Sequence, residues 1–286
     1  MYCANHPASK AHARCPACAK ELCGACIATK LVRGVEIWNC AACGRECQAL
    51  PAEAGADEER SFFAQLPGTF AYPFRGSGWL MLVLGPVFFG ILGLAGRVPL
   101  IGLAVVIASA GYLSAMMLKI IRSSASGEGE LPDWPEFSNW WDDILRPFLL
   151  ILGTVLFCML PALAWFLLMI RGRADASAGL GLLGLVVAGL LYLPMGLTAV
   201  ALFNTAAALN PAVVVGSIAR IPLQYLAACL MLLAILAIRT VCQWAFAEVP
   251  LAGAAVFGFV SFYLLTVEMR VLGLLYHANR RKLDWF

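Results

Sequence analysis

Residues 147–170 read PFLLILGTVLFCMLPALAWFLLMI, twenty-four residues without one charge. About 20 apolar residues suffice for a helix to cross the hydrocarbon of a bilayer, so this stretch by itself places the chain in a membrane. Five more runs meet the same criterion: Trp79–Gly96, Pro99–Ile121, Ala178–Phe203, Pro222–Ile238 and Leu251–Tyr276. Of the 286 residues 62% are hydrophobic and 13% charged. Mean hydropathy is +0.82. A soluble domain has roughly 45–50% apolar and about 25% charged residues, so the composition agrees with the runs. The fold expected is an all-α polytopic membrane protein of about six transmembrane helices with a small zinc-stabilised N-terminal domain.

Six spans return both chain ends to one side. With the N-terminus in the cytosol, that side carries Arg75, Lys119, Arg122, Arg146, Arg220, Arg270, Arg280, Arg281 and Lys282. The opposite side carries Arg97, Arg171, Arg173 and Arg239, so nine positive residues face four in the direction of the positive-inside rule. This predicts an integral protein of a bacterial inner membrane with both termini cytosolic. The formal net charge is +3 and the cations are scattered, which gives no electrostatic footprint for nucleic acid.

Outward from the spans, the chain divides at residues 48 and 78. Residues 79–286 hold the six helices. Residues 49–78 form a linker, Ala- and acid-rich from Pro51 to Arg60, and a membrane entry segment. Each pair of spans is preceded by such a segment: Phe62–Gly78, Leu131–Arg146 and Asn204–Ile221. In the second, Trp134, Phe137, Trp140, Trp141, Ile144 and Leu145 occupy one arc at 100° per residue, with Glu136, Asn139, Asp142 and Asp143 opposite. The pattern predicts an amphipathic helix in the headgroup plane, capped by Asp133 and with Pro135 in its first turn. Asn210-Pro211 opens a further short helix that Pro222 ends.

Residues 1–48 contain eight of the eleven cysteines. Seven of these, with one histidine, form pairs at one spacing: Cys3-x2-His6, Cys15-x2-Cys18, Cys23-x2-Cys26 and Cys40-x2-Cys43. A pair separated by two residues aims both donors at one ion, and two pairs complete a tetrahedral shell, so eight ligands make two zinc sites. No apolar secretory segment precedes them, which fits metal ligation in a reducing cytosol better than disulfides. Interleaved pairing groups Cys3, His6, Cys23 and Cys26, then Cys15, Cys18, Cys40 and Cys43. Sequential pairing groups Cys3, His6, Cys15 and Cys18, then the remaining four. Interleaving is preferred, because a unit near 40 residues lacks a core and crossed metal sites tie it together. His12 and Cys47 are spare donors, and Cys47 is an alternative to Cys43. Cys158, Cys229 and Cys242 sit in apolar runs as small hydrophobes.

The order of these pairs resembles a B-box-type zinc finger over residues 3–43, with Cys40 and Cys43 standing where many such fingers have histidines. The resemblance implies a protein-interaction module. Gly111-Tyr112-Leu113, Leu131-Pro132-Asp133-Trp134 and Asn210-Pro211 resemble an uncharacterised family of prokaryotic polytopic membrane proteins, over roughly residues 68–280.

No catalytic motif is present. H-E-x-x-H is absent, the histidines are His6, His12 and His277, and neither Arg75-Gly76-Ser77-Gly78 nor Val215-Gly216-Ser217-Ile218 matches the G-x-S-G of rhomboid-type intramembrane proteases. Glu268 is an ionisable residue inside an apolar run, a feature of transporters and channels. Arg270 lies two residues on and cannot share its helix face, and both are expected near the cytosolic interface. Pro161 and Pro194 mark kinks in their spans. Gly85, Gly90, Gly93 and Gly96, with Gly179, Gly181, Gly184 and Gly189, are expected to pack helices within the bundle or against a second copy. The expected function is therefore a membrane adaptor whose head, with two structural Zn2+ ions, binds a cytosolic or membrane protein partner. A transporter or channel regulated by the head is the alternative, and an intramembrane hydrolase the third reading.

Overall fold

The computed structural model describes residues 3–4, 6, 13–23, 26–32, 35–45, 47–49, 62–76, 78–98, 102–135, 138–172, 178–246 and 249–285. The linker from Pro51 to Arg60, His12, Arg173 and Glu248 lie outside them. The chain forms two compact units, Met1–Arg60 and Ser61–Phe286.

The first unit is built from short strands. Strand β1 (Ala13–Arg14) pairs antiparallel with both β2 (Glu21–Leu22) and β5 (Gln48–Ala49). Strands β3 (Ile27–Val32) and β4 (Val35–Cys40) form a hairpin in which Ile27 faces Cys40. Cysteines form nearly all of its buried cluster: Cys3, Cys15, Cys23, Cys26, Cys40 and Cys47 are buried with Ala13 and Leu22.

The second unit is helical. Helix α1 (Phe62–Thr69) leads through a 3₁₀ turn at Tyr72–Phe74 into α2 (Gly78–Ala95), followed by α3 (Gly102–Ser126). Then come α4 (Arg146–Ile170), α5 (Ala178–Phe203), the short α6 (Pro211–Arg220), α7 (Pro222–Phe246) and α8 (Pro250–Leu283). Among the described residues six helices are long and apolar enough to cross a membrane, which makes the chain an integral membrane protein in character. Leu180 and Trp244 are 77% and 79% exposed, as side chains bathed in lipid would be.

Helix α8 is the axis of the bundle, packed against α2, α3 and α7, while α4 packs on α5. Its inward residues Val267, Val271, Leu272 and Leu275 are at most 1% exposed. Glycines set the close approaches. A Cβ at Gly273 would meet Ser124 Cβ and the Ile121 carbonyl on α3, and one at Gly189 would meet the Cys158 carbonyl on α4. Gly85 lies under the Phe262 ring and Gly181 under Trp165. Gly90, Gly93, Gly179 and Gly184 have nothing within 4 Å, so only part of the predicted glycine faces packs inside the bundle.

The second entry segment departs from its expected form. Residues 131–135 are not helical, and helix begins at Trp140 with a π turn over Trp141–Leu145 that runs straight into α4. The cap is Asn139, whose Oδ1 accepts the Trp141 N–H at 2.9 Å. Asp143 reaches back to accept the Ser138 and Asn139 N–H groups, each at 2.7 Å. Together with the Asn139 cap these bonds make the reciprocal arrangement of a capping box. Asp133 instead offers its backbone carbonyl to Lys119 Nζ at 2.9 Å, and Trp134 stacks on Tyr112 with centroids 6.1 Å apart. The aromatic arc is thereby split: Trp134 belongs to the bundle and Ile144 to the α3–α4 contact beside Gly111. The third segment follows its sequence, with Asn210 Oδ1 accepting the Ala212 N–H at 3.0 Å at the start of α6.

Candidate metal centre

Local backbone geometry gathers the ligands. Antiparallel pairing of β1 with β2 bends Cys15–Lys20 into a knuckle, closed by the Cys15 N–H on the Lys20 carbonyl at 3.0 Å. A matching knuckle at Cys40–Arg45 is closed by the Cys40 N–H on the Arg45 carbonyl at 2.8 Å and turns on Gly44, whose φ of +72° suits a residue without a Cβ. The Ala4 N–H on the Glu21 carbonyl at 2.9 Å brings the N-terminal pair beside Cys23.

Two clusters result. In one, Cys3, His6, Cys23 and Cys26 have their donor atoms within 4.8 Å of one another. His6 Nδ1 is 3.4 Å from Cys23 Sγ, 3.4 Å from Cys26 Sγ and 3.9 Å from Cys3 Sγ. In the other, Cys15, Cys18, Cys40 and Cys43 converge equally, with Cys15 Sγ 3.5 Å from Cys43 Sγ. Donors about 2.3 Å from a central ion stand roughly 3.8 Å apart at the corners of a tetrahedron. The observed separations are of that size, and all eleven cysteines are unbridged. Each cluster can hold a metal ion. The grouping is interleaved, and β3–β4 register is the reason: Cys26 ends the approach to β3, Cys40 ends β4, and the Ala41 N–H binds the Cys26 carbonyl at 3.1 Å.

The second cluster is electrostatically uneven. The Cys18 N–H directed at Cys15 lowers that thiol to about 7. Hydrogen bonding to Cys43 and Cys15 pushes Cys18 up to about 12. Cys15 thus ionises more readily than Cys18 beside it, an unevenness that a shared cation relieves. Cys47 is buried beside this cluster, and burial raises its thiol to about 11.

In the helical unit, the expected charged residues find partners that spacing alone did not suggest. Arg239 lies within α7, not in an external loop, and its Nη2 is 3.4 Å from both carboxylate oxygens of Glu268 on α8. Arg270 is 7% exposed, its guanidinium 4.3 Å over the Tyr72 ring and its Nη1 donating to the Glu128 carbonyl. Arg146 donates to the Asn204 carbonyl at 3.2 Å, and Arg220 to that of Leu283 at 2.5 Å. Three arginines counted among the cytosolic-side cations thus bind carbonyls in or just before the entry segments and at the end of α8. His277 Nδ1 lies 3.0 Å from the Ala125 carbonyl, a packing role.

The match to known families falls on the helices. A family described as "Protein of unknown function (DUF4013)" matches residues 94–247, just over half of the chain. The chain belongs to this DUF4013 family. The match runs from the end of α2 to the end of α7, a shorter stretch than residues 68–280. It leaves out both metal clusters and all of α8, so it includes Arg239 but not Glu268. No curated protein and no solved structure matches the chain.

Proposed function

We propose that this DUF4013 protein is a membrane-embedded adaptor whose N-terminal unit, a B-box-like head with two structural zinc ions, binds a protein partner. The observation that carries the reading is the completeness of the two donor sets. All eight paired ligands are consumed in two four-donor clusters, and a shell filled by protein leaves no position for an activated water. Thiolate and imidazole donors in tetrahedral spacing suit zinc. Both termini are proposed to face the cytosol of a bacterial cell, where thiols stay reduced.

The test is proximity labelling from the full-length chain in its native membrane, compared with a Cys15→Ser/Cys23→Ser chain. A defined set of neighbours that disappears in the variant, while the variant remains membrane-inserted, is the expected result. An unchanged set would sink the adaptor reading. The alternative, a transporter or channel regulated by the head, draws on the Arg239–Glu268 pair inside the spans. The space beside that pair is walled by aliphatic side chains, which favours an oily occupant over an ion.

A further inference from the structure

A cleft of about 380 Å³ lies between α5 and α7 with α8 as its floor. Leu190, Leu191 and Leu193 of α5 face Leu232, Leu233 and Leu236 of α7 across it, and Arg239 and Glu268 are its charged lining residues. The volume is within the roughly 300–1,000 Å³ of sites that hold small ligands. Arg239 stands seven residues before the end of α7, roughly 10 Å inside at 1.5 Å per residue. The pair therefore sits at hydrocarbon depth and opens onto an aliphatic space.

The pair is also incompletely satisfied. Its 3.4 Å contacts are longer than the roughly 2.7–2.9 Å of a closed charge-assisted bond, and one nitrogen, Nη2, serves both oxygens. Arg239 Nε is buried without an acceptor, and so is the nearby hydroxyl of Ser261, whose carbonyl Arg239 touches at 3.5 Å. Donors exceed acceptors on the arginine side, while the carboxylate retains lone pairs. The two charges already cancel, so an added anion at this depth would stand uncompensated. A hydroxyl meets every requirement: it accepts from guanidinium, donates to carboxylate and carries no charge.

We propose that this cleft binds one long-chain lipid with an uncharged, hydroxyl-bearing head, the chain along the leucine walls and the hydroxyl on Arg239 and Glu268. The proposal is independent of the adaptor reading, since it concerns the helical unit alone. It is tested with the full-length protein in phosphatidylcholine nanodiscs, labelled by a photoreactive monoacylglycerol and mapped by mass spectrometry. Labelling should saturate and fall on α5 and α7. Unlabelled monoacylglycerol should compete at least about tenfold better than lysophosphatidate of the same chain length, because the phosphate would bring an uncompensated charge to this depth. Arg239→Leu/Glu268→Leu, which removes both charges together, and Leu233→Trp, which fills the cleft, should each abolish the saturable component. Labelling that does not saturate and is spread over all lipid-facing helices overturns the proposal, as does equal competition by lysophosphatidate or saturable labelling that survives in the double variant.

Discussion

The two units solve the same problem, holding a chain in one shape, with different materials. Among the described residues, the buried cluster of the N-terminal unit is six cysteines, an alanine and a leucine. The helical unit buries side chains in two large apolar clusters around α8 and uses charge only at a few points. In the first, chemistry stands in for packing; in the second, packing stands in for chemistry. The difference teaches where each unit is vulnerable: the head to loss of one donor, the bundle to loss of fit.

Removing metal should separate them most sharply. Structural zinc contributes on the order of 10–16 kcal/mol in comparable small units, more than a domain of this size can replace. Chelation should make residues 1–60 protease-sensitive while far-ultraviolet circular dichroism of the helices stays unchanged. Cys15→Ser and Cys23→Ser should each release one ion of two, measured as metal per chain. Loss of both from either single variant would mean that the two clusters are not separate sites.

Within the bundle, the largest expected effect is at the ion pair. Arg239→Leu leaves Glu268 without its partner, and breaking such a pair costs about 3–5 kcal/mol, read as a lowered unfolding midpoint in detergent. Adding Glu268→Leu should recover most of that loss, because two leucines need no partner. A single variant as stable as the parent would show that the pair is solvated rather than structural.

Fit comes next. Gly273→Leu forces α8 away from Ser124 and Ile121 of α3, for an expected loss of about 1–3 kcal/mol. Gly90→Ala is the control for the same residue type on the same kind of helix. Its Cβ meets nothing within 4 Å, so the change should stay within about 0.5 kcal/mol. If both substitutions are tolerated equally, the close approach of α8 to α3 at Gly273 does not hold the bundle together.

The metal clusters were legible because ligand spacing is local: C-x2-C can be read without knowing what lies opposite. The α4 start was half legible. Asn139 followed by Asp142 and Asp143 is a capping signal in the chain itself, but the aromatic arc from Trp134 drew the helix start too early. Arg239 was misread for a related reason. A charge beside an apolar run looks like the end of a span, whereas α7 continues to Phe246 and α8 places the Glu268 carboxylate beside Arg239.

The sequence by itself determined that six segments are long and apolar enough to cross a membrane and that eight donors stand in four pairs, because hydrophobic length and two-residue spacing are properties of single segments. Only the tertiary structure decided that the pairs interleave, that Glu268 belongs to Arg239 rather than to Arg270, and that α5 and α7 leave a cleft between them. Those outcomes depend on strand register and on which helices become neighbours, and both are settled by the packing of segments far apart in the chain.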